Sequence, residues 1–301
     1  MKKHFFFPLL IGAIELLQPV YAATPSASIN LEAGTEYDSN LSVVELDQYS
    51  TESDWATLFN ARLNTQWKAT EELKLKAGYS FVSKTYQDNE EFDLAIQQLF
   101  ADASYDFSLL TLGASYHYAD ATLADQDFLQ LQQTSLYASH LFNNRIFVRG
   151  AANFQDKKFP DNSERNASNN GLAGDMFIFF QQGKTFIAIG ISSEEEDAVQ
   201  DQFSFDGISL RSSINHKFST WGKTSELQLG WRYQDRKYSA VTPELEARRH
   251  DRNNIISIEW EINLTPTIVA TSKVERGDYQ SNLPAADYSE TLASLMLSAR
   301  F

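Results

Sequence analysis

Hydrophobic and polar positions alternate along most of this chain with a period of two. Between residues 55 and 68, Trp55, Thr57, Phe59, Ala61, Leu63 and Trp67 fall on one side and Asn60, Arg62, Asn64, Gln66 and Lys68 on the other. Successive side chains of a β-strand point to opposite faces, so the stretch predicts a ribbon with one greasy and one wet face. The same reading sets Leu73, Leu75, Ala77, Tyr79 and Phe81 against Lys74, Lys76, Ser80 and Lys84. It sets Leu227, Leu229, Trp231 and Tyr233 against Glu226, Gln228, Arg232, Gln234 and Arg236, and Ile256, Ile258, Trp260, Ile262 and Leu264 against Ser257, Glu259, Glu261 and Asn263. Fourteen segments read as strands: about 27–41, 52–69, 72–87, 91–107, 108–120, 129–142, 145–157, 168–181, 184–194, 200–217, 224–238, 248–264, 267–280 and 288–301. In the seventh and eighth, Phe147, Phe177, Phe179 and Phe180 blur the alternation, which leaves their register open and with it a count of twelve or sixteen.

The connections alternate in size. Residues 69–72, 106–109, 143–144, 181–184 and 264–267 are tight turns, with 218–223 slightly longer. Between them lie longer polar stretches at 38–54, 87–91, 120–128, 157–167, 194–200, 239–247 and 280–287. Short turns at one end and long loops at the other characterise a transmembrane antiparallel up-and-down β-barrel of an outer membrane, and about 20 residues per repeat accommodates a tilted span of roughly 9 to 11 plus a connection. An even strand number places both termini on the periplasmic side. A β-sandwich would have to bury Arg62, Lys68, Lys74, Lys76, Arg232 and Arg236 dry between two sheets, at heavy cost; a wet lumen accepts them. The expected fold class is all-β, a closed barrel of fourteen strands.

The two ends of the chain carry an address. In the final strand, YSETLASLMLSARF, residues Phe301, Ala299, Leu297, Leu295 and Ala293 share one face and Arg300, Ser298, Ser294 and Glu290 lie mostly on the other. This resembles the terminal strand of bacterial outer-membrane barrels, which implies that Leu295, Leu297 and Phe301 form the signal read by the barrel insertion machinery. At the start, Lys2 and Lys3, the apolar run Phe5 to Leu17 interrupted by Glu15, and Val20-Tyr21-Ala22 have the order of an export signal cleaved after Ala22. The expected organisation is therefore a signal peptide over 1–22 and one barrel domain over 23–301, located in the outer membrane among lipid and lipopolysaccharide.

Composition sharpens this picture. The formal net charge is −15, and about −16 once Lys2, Lys3 and Glu15 leave with the signal, which makes nucleic acid a poor partner. Beyond the signal no run of 18 apolar residues spans a membrane as a helix, yet the chain holds 21 Phe, 13 Tyr and 5 Trp. A barrel reconciles the two, because lipid-facing and lumen-facing residues alternate. With no cysteine, disulfide scaffolds, thiol nucleophiles and cysteine metal sites are excluded.

Candidate chemistry lies on the wet faces. Glu32, Glu36, Arg62, Lys68, Lys74, Lys76, Arg232, Arg236, Glu259, Glu261 and Arg300 are the expected lumen lining, with bases gathered on the second and third strands and acids on the first and twelfth. Such charges tie neighbouring strands, here Glu32 and Glu36 with Arg62, Lys68 and Arg300 across the closing seam, or set the preference of a pore. Fourteen strands fall between the filled interior of about eight and the open channel of about 16 to 18, so an inward loop could narrow the lumen. Residues 38–54 and 157–167 are the candidates, and their charge reads first as solvation. Catalysis ranks low. Of His117, His140, His216 and His250, only His250, beside Asp251 at the rim and near Asp278 and Asp287, suggests a carboxylate–histidine base, and nothing fixes a nucleophile. Glu194-Glu195-Glu196-Asp197 lacks the spaced oxygens and turn glycine of a calcium loop, so neither metal nor cofactor is expected.

Four short features remain: the run Tyr37-Asp38-Ser39-Asn40 after the first strand, Ser281-Asn282 in the last outer loop, Arg248-Arg249-His250-Asp251 opening the twelfth strand, and the terminal Phe301. Together they resemble the carboxy-terminal barrel of the surface lipoprotein assembly modifier family, over nearly the whole mature chain. That resemblance implies a role in helping particular lipoproteins reach the cell surface. Members of the family carry a helical periplasmic repeat domain ahead of the barrel; here the mature chain starts about five residues before its first strand, so the expectation is a bare barrel with a separate partner chain. Two functions follow. The first is a narrow channel or export pore across the outer membrane. The second is a partner-binding barrel of the assembly-modifier type, whose partner is an exported lipoprotein or a periplasmic export component. An outer-membrane hydrolase ranks below both.

Overall fold

The computed structural model describes residues 24–301, and the expected signal peptide lies outside them. Fourteen antiparallel strands close into one barrel: β1 (Ser26–Asp38), β2 (Asp54–Lys68), β3 (Leu73–Tyr86), β4 (Leu94–Phe107), β5 (Leu110–Leu123), β6 (Gln126–Phe142), β7 (Ile146–Lys158), β8 (Ala167–Phe180), β9 (Thr185–Ala198), β10 (Phe205–Thr220), β11 (Lys223–Thr242), β12 (Ala247–Asn263), β13 (Ile268–Ser281) and β14 (Tyr288–Arg300). Each strand pairs with its neighbours in sequence, and β1 closes on β14 in a register running from Asn30↔Arg300 to Asp38↔Leu292. Phe301 extends that ladder: its N–H donates to Ile29 O at 2.9 Å and its carbonyl accepts from Ile29 N at 3.0 Å. No strand edge is left in the barrel, which is the condition for spanning lipid. Closure is tight at Gly34, where a Cβ would run into the backbone of Leu295 and Met296.

Strand number and connectivity agree with the periodicity, but several outer ends are longer than it suggests. The polar stretch 120–128 contains only a two-residue turn, Ala124–Asp125, with φ of 49° and 62°. Positive φ at both positions is the twist a two-residue hairpin requires. Likewise β11 runs to Thr242, past a bulge between Lys237 and Val241. A hydrocarbon span consumes roughly 9 to 11 residues of a tilted strand, so the 20 residues of β11 project well beyond it. In water both faces of a strand are polar, and there the alternation falls silent.

Register also settles the blurred strands. Phe147 sits opposite Phe177, and Phe179 opposite Phe186, on the same face as Arg149 and Asp175. That face lines the internal cavity, so Phe147, Phe177 and Phe179 point inward, whereas Phe180, next in the strand, faces out. The outer wall is apolar: Leu295 and Leu297 are 58% and 55% exposed along β14, and Phe301 is 71% exposed at its end.

Candidate functional site

The six short turns, from 69–72 to 264–267, share one end of the barrel with both termini of the described chain, and the other seven connections share the other. These are the periplasmic and outer ends respectively. They differ in chemistry.

At the outer end, residues 39–53 fold across the mouth. The segment contains a single 3-10 turn, Val44–Leu46, and a two-residue pairing of Ser42–Val43 with Gln48–Tyr49. Asp47 follows the turn at φ 57°, left-handed, which aims its carboxylate back toward the wall. There Arg249 of β12 donates to Asp47 Oδ1 at 2.7 Å and to Asp251 Oδ2 at 2.7 Å, while Arg165 of the 159–166 loop donates to Asp47 Oδ2 at 2.7 Å and to Glu45 O at 2.9 Å. Arg249 keeps only 6% of its side chain exposed and Asp47 10%. Burial pushes the Asp47 carboxyl up, but the hydrogen bonds and charges of Arg249 and Arg165 outweigh it and hold it below the usual carboxylate range.

Apolar contacts reach the remaining wall. Val43 packs with Ala121, Phe128 and Phe159; Leu41 is fully buried with Ala56 and Tyr86. Tyr49 stacks on Tyr288, which stacks on Tyr279, and Ser42 Oγ donates to Glu290 at 3.3 Å. A pocket of about 30 Å³ lies between Val44, Asp47 and Gln48 of the segment and β11–β14, room for roughly one water. The expectation that 38–54 is a solvated loop is therefore corrected. Ser42, the Glu45 carbonyl and Asp47 find partners more than a hundred residues distant in sequence, while the exposed residues 51–53 stay in solvent.

Toward the periplasmic end the lumen widens into a cavity of about 1110 Å³. Of the expected lining, Lys68, Lys74, Lys76 and Arg232 contact it. Glu36 and Arg236 sit higher, under the outer segment: Glu36 accepts from Lys84 Nζ at 2.9 Å, and Arg236 lies 3.5 Å from Glu194 and over the Phe205 ring. Glu32, Arg62, Glu259, Glu261 and Arg300 occupy the inward register positions on either side of the seam. The expected ion pairs across that seam are not formed. Arg300 reaches Glu261 on β12 at 3.3 Å, and Glu32 accepts from Asn30 and Asn60 at 2.7 and 3.1 Å, so the seam is held by its backbone ladder.

Sequence reasoning passed over Asp47, Arg165 and Arg249 as a group, along with Arg149 and Arg211 in the cavity. Only the spacing Arg249-x-Asp251, which puts both on one face, hinted at the first group. The rim histidine behaves differently from expectation. His250 and Asp251 are adjacent and so face opposite ways: His250 Nε2 lies 3.1 Å from Asp235 on the outer wall, whereas Asp251 joins Arg249 inside. Asp278 accepts from Gln280 and Asp287 from Ser281 N, and neither approaches His250. Among the described residues no group of three or more metal-ligating acids or histidines converges.

Comparison with known proteins agrees with this architecture. The surface lipoprotein assembly modifier family matches residues 28–301. Among solved structures, the anion-selective porin from Comamonas acidovorans superposes with a TM-score of 0.55 at 8% identity, over 92% of this chain and 99% of that one. The outer-membrane OmpT of Vibrio cholerae gives 0.55 at 11%, over 95% and 100%. CdiB from Acinetobacter baumannii gives 0.53 at 11%, over 91% of this chain and 60% of its own. At such identities the likeness is one of fold. No curated protein matches the sequence.

Proposed function

Because the chain belongs to the surface lipoprotein assembly modifier family, we propose that this outer-membrane barrel is a gated passage serving delivery of a lipoprotein to the cell surface, closed at rest by residues 39–53. The observation that carries the reading is the Asp47 bridge, in which one segment carboxylate is held by Arg249 of the wall and Arg165 of another loop. A diffusion pore gains nothing from a buried ionic latch across its mouth. A passage that must stay sealed until a partner engages does, because the desolvated pair holds while intact and loosens sharply once either side is displaced. The cavity lined near the periplasmic turns supplies the entry side.

The test exploits the absence of cysteine. Asp47→Cys with Arg249→Cys, joined by a cleavable bifunctional crosslinker in producing cells, fixes the segment to the wall. Lipoprotein at the cell surface, measured by protease shaving, should fall on crosslinking and recover on cleavage. Delivery unchanged by the tether would contradict the gate. The fold it shares with porins supports a second reading, a narrow diffusion channel; steady ohmic conductance of the uncrosslinked, unmodified barrel would favour that one.

A further inference from the structure

The periplasmic cavity holds two features that the gate does not use. On β2 and β3, Lys68 and Lys74 stand directly opposite one another in register, and Lys76 lies on the same inward face. None of the three forms an ion pair among the described residues. The nearest acid in register, Asp102 opposite Lys76, accepts instead from Tyr137 OH at 2.8 Å. Like charges directly opposed across a ladder are destabilising, and although Glu71, Glu72, Asp102 and Asp106 line the same cavity, none of them pairs directly with the three lysines, whose ammonium groups stay available to an anion. Across the lumen, Phe147, Phe177, Phe179 and Phe186 form one inward cluster, with successive ring centroids 6.0 to 6.4 Å apart. Phe147 and Phe177 of this half-buried cluster line the cavity and offer it an apolar surface.

Their placement selects the ligand. Counting seven strands around the fourteen-strand barrel from β2 arrives at β9, so the lysine wall faces the phenylalanine wall. Both lie close to the periplasmic turns: Lys68 ends β2, Lys74 is the second residue of β3 and Phe186 the second of β9. A ligand must therefore offer negative charge to one side and apolar surface to the other at the same depth. An anionic lipid carries charge at one end and its tail at the other, which would need the two contacts at different depths. An extended polypeptide alternates its side chains to opposite faces and meets the requirement directly.

Resting on the delivery reading above, we infer that this vestibule receives an extended segment of a partner polypeptide bearing acidic side chains on one face and apolar side chains on the other. The experiment uses the folded full barrel in nanodiscs and fluorescence anisotropy with two labelled peptides of about ten residues, the length of a spanning strand. One alternates Asp and Leu; the other has the same composition in two blocks. The alternating peptide should bind at least about tenfold more tightly, with affinity that falls as salt rises. Lys68→Glu/Lys74→Glu/Lys76→Glu and, separately, Phe177→Ser/Phe186→Ser should each abolish the preference while keeping the heat-modifiable migration of a folded barrel. Equal binding of the two peptides, binding unaffected by either variant, or displacement of the alternating peptide by dodecyl phosphate at lower concentration than by unlabelled peptide would overturn the inference, the last in favour of a lipid. Peptide binding without any effect of the tether on surface delivery would keep the vestibule and remove the gate; the reverse result would do the opposite.

Discussion

The two mouths of this barrel treat charge in opposite ways. At the outer mouth Asp47, Arg165, Arg249 and Asp251 are mutually paired and nearly dry. At the periplasmic mouth Lys68, Lys74 and Lys76 share a wet wall with no ion-pair partner among the described residues. The contrast separates a surface completed by its own chain from one that awaits another molecule. Porin-like architecture alone does not distinguish them, since both mouths are built from the same alternating strands.

The comparison can be broken most sharply at Arg249. Arg249→Ala leaves Asp47 and Asp251 with their main counter-charge removed in a buried setting, where losing one partner costs about 3–5 kcal/mol. Residues 39–53 should become protease-sensitive in the folded barrel, as limited proteolysis would show; resistance equal to that of the parent protein would remove the latch from the account. Next in size is the lipid wall. Leu297→Arg puts a charge on the outward face of β14 at a cost of about 2–4 kcal/mol near the bilayer midplane. It should lower the folded fraction in urea refolding while leaving lumen properties untouched in whatever folds. Reversing Lys74 and Lys76 to Glu should barely alter stability but shift the ion preference of an Arg249→Ala barrel toward cations, read as a reversal potential across a salt gradient.

Acid offers a smaller and reversible probe. The folded pKa of Asp47 is depressed, so its contribution is fully present above the ordinary carboxylate value of about 3.9 and is lost as pH falls through the depressed value. The part of the protease protection of 39–53 that Arg249→Ala removes should be flat from neutral pH to about pH 5 and decline only in stronger acid. The smallest effect belongs to Arg300→Gln, which removes an exposed 3.3 Å pair with Glu261 worth about 0–1 kcal/mol. Refolding should be unchanged within error.

Sequence periodicity showed the barrel because lipid enforces one apolar face along every span, from Trp55 on β2 to Leu297 on β14. It failed at Phe147, Phe177 and Phe179, whose inward direction violates the rule that the lumen face is polar; the irregularity belongs to the candidate binding wall. It also failed at Asp47. A carboxylate in a charged loop looks solvated until the register brings Arg249, some two hundred residues later, to the same point in space. The bases of β2 and β3 were legible as a cluster, but their lack of partners depends on where Asp102 and Tyr137 point, which only tertiary structure fixes.

The central claim is that the outer mouth is shut by an ionic latch, and single-channel conductance tests it most directly. The refolded barrel should be nearly silent in a planar bilayer, and Arg249→Ala should give discrete ohmic steps under the same conditions. Steps of equal size and frequency in both proteins would show that residues 39–53 do not close the lumen.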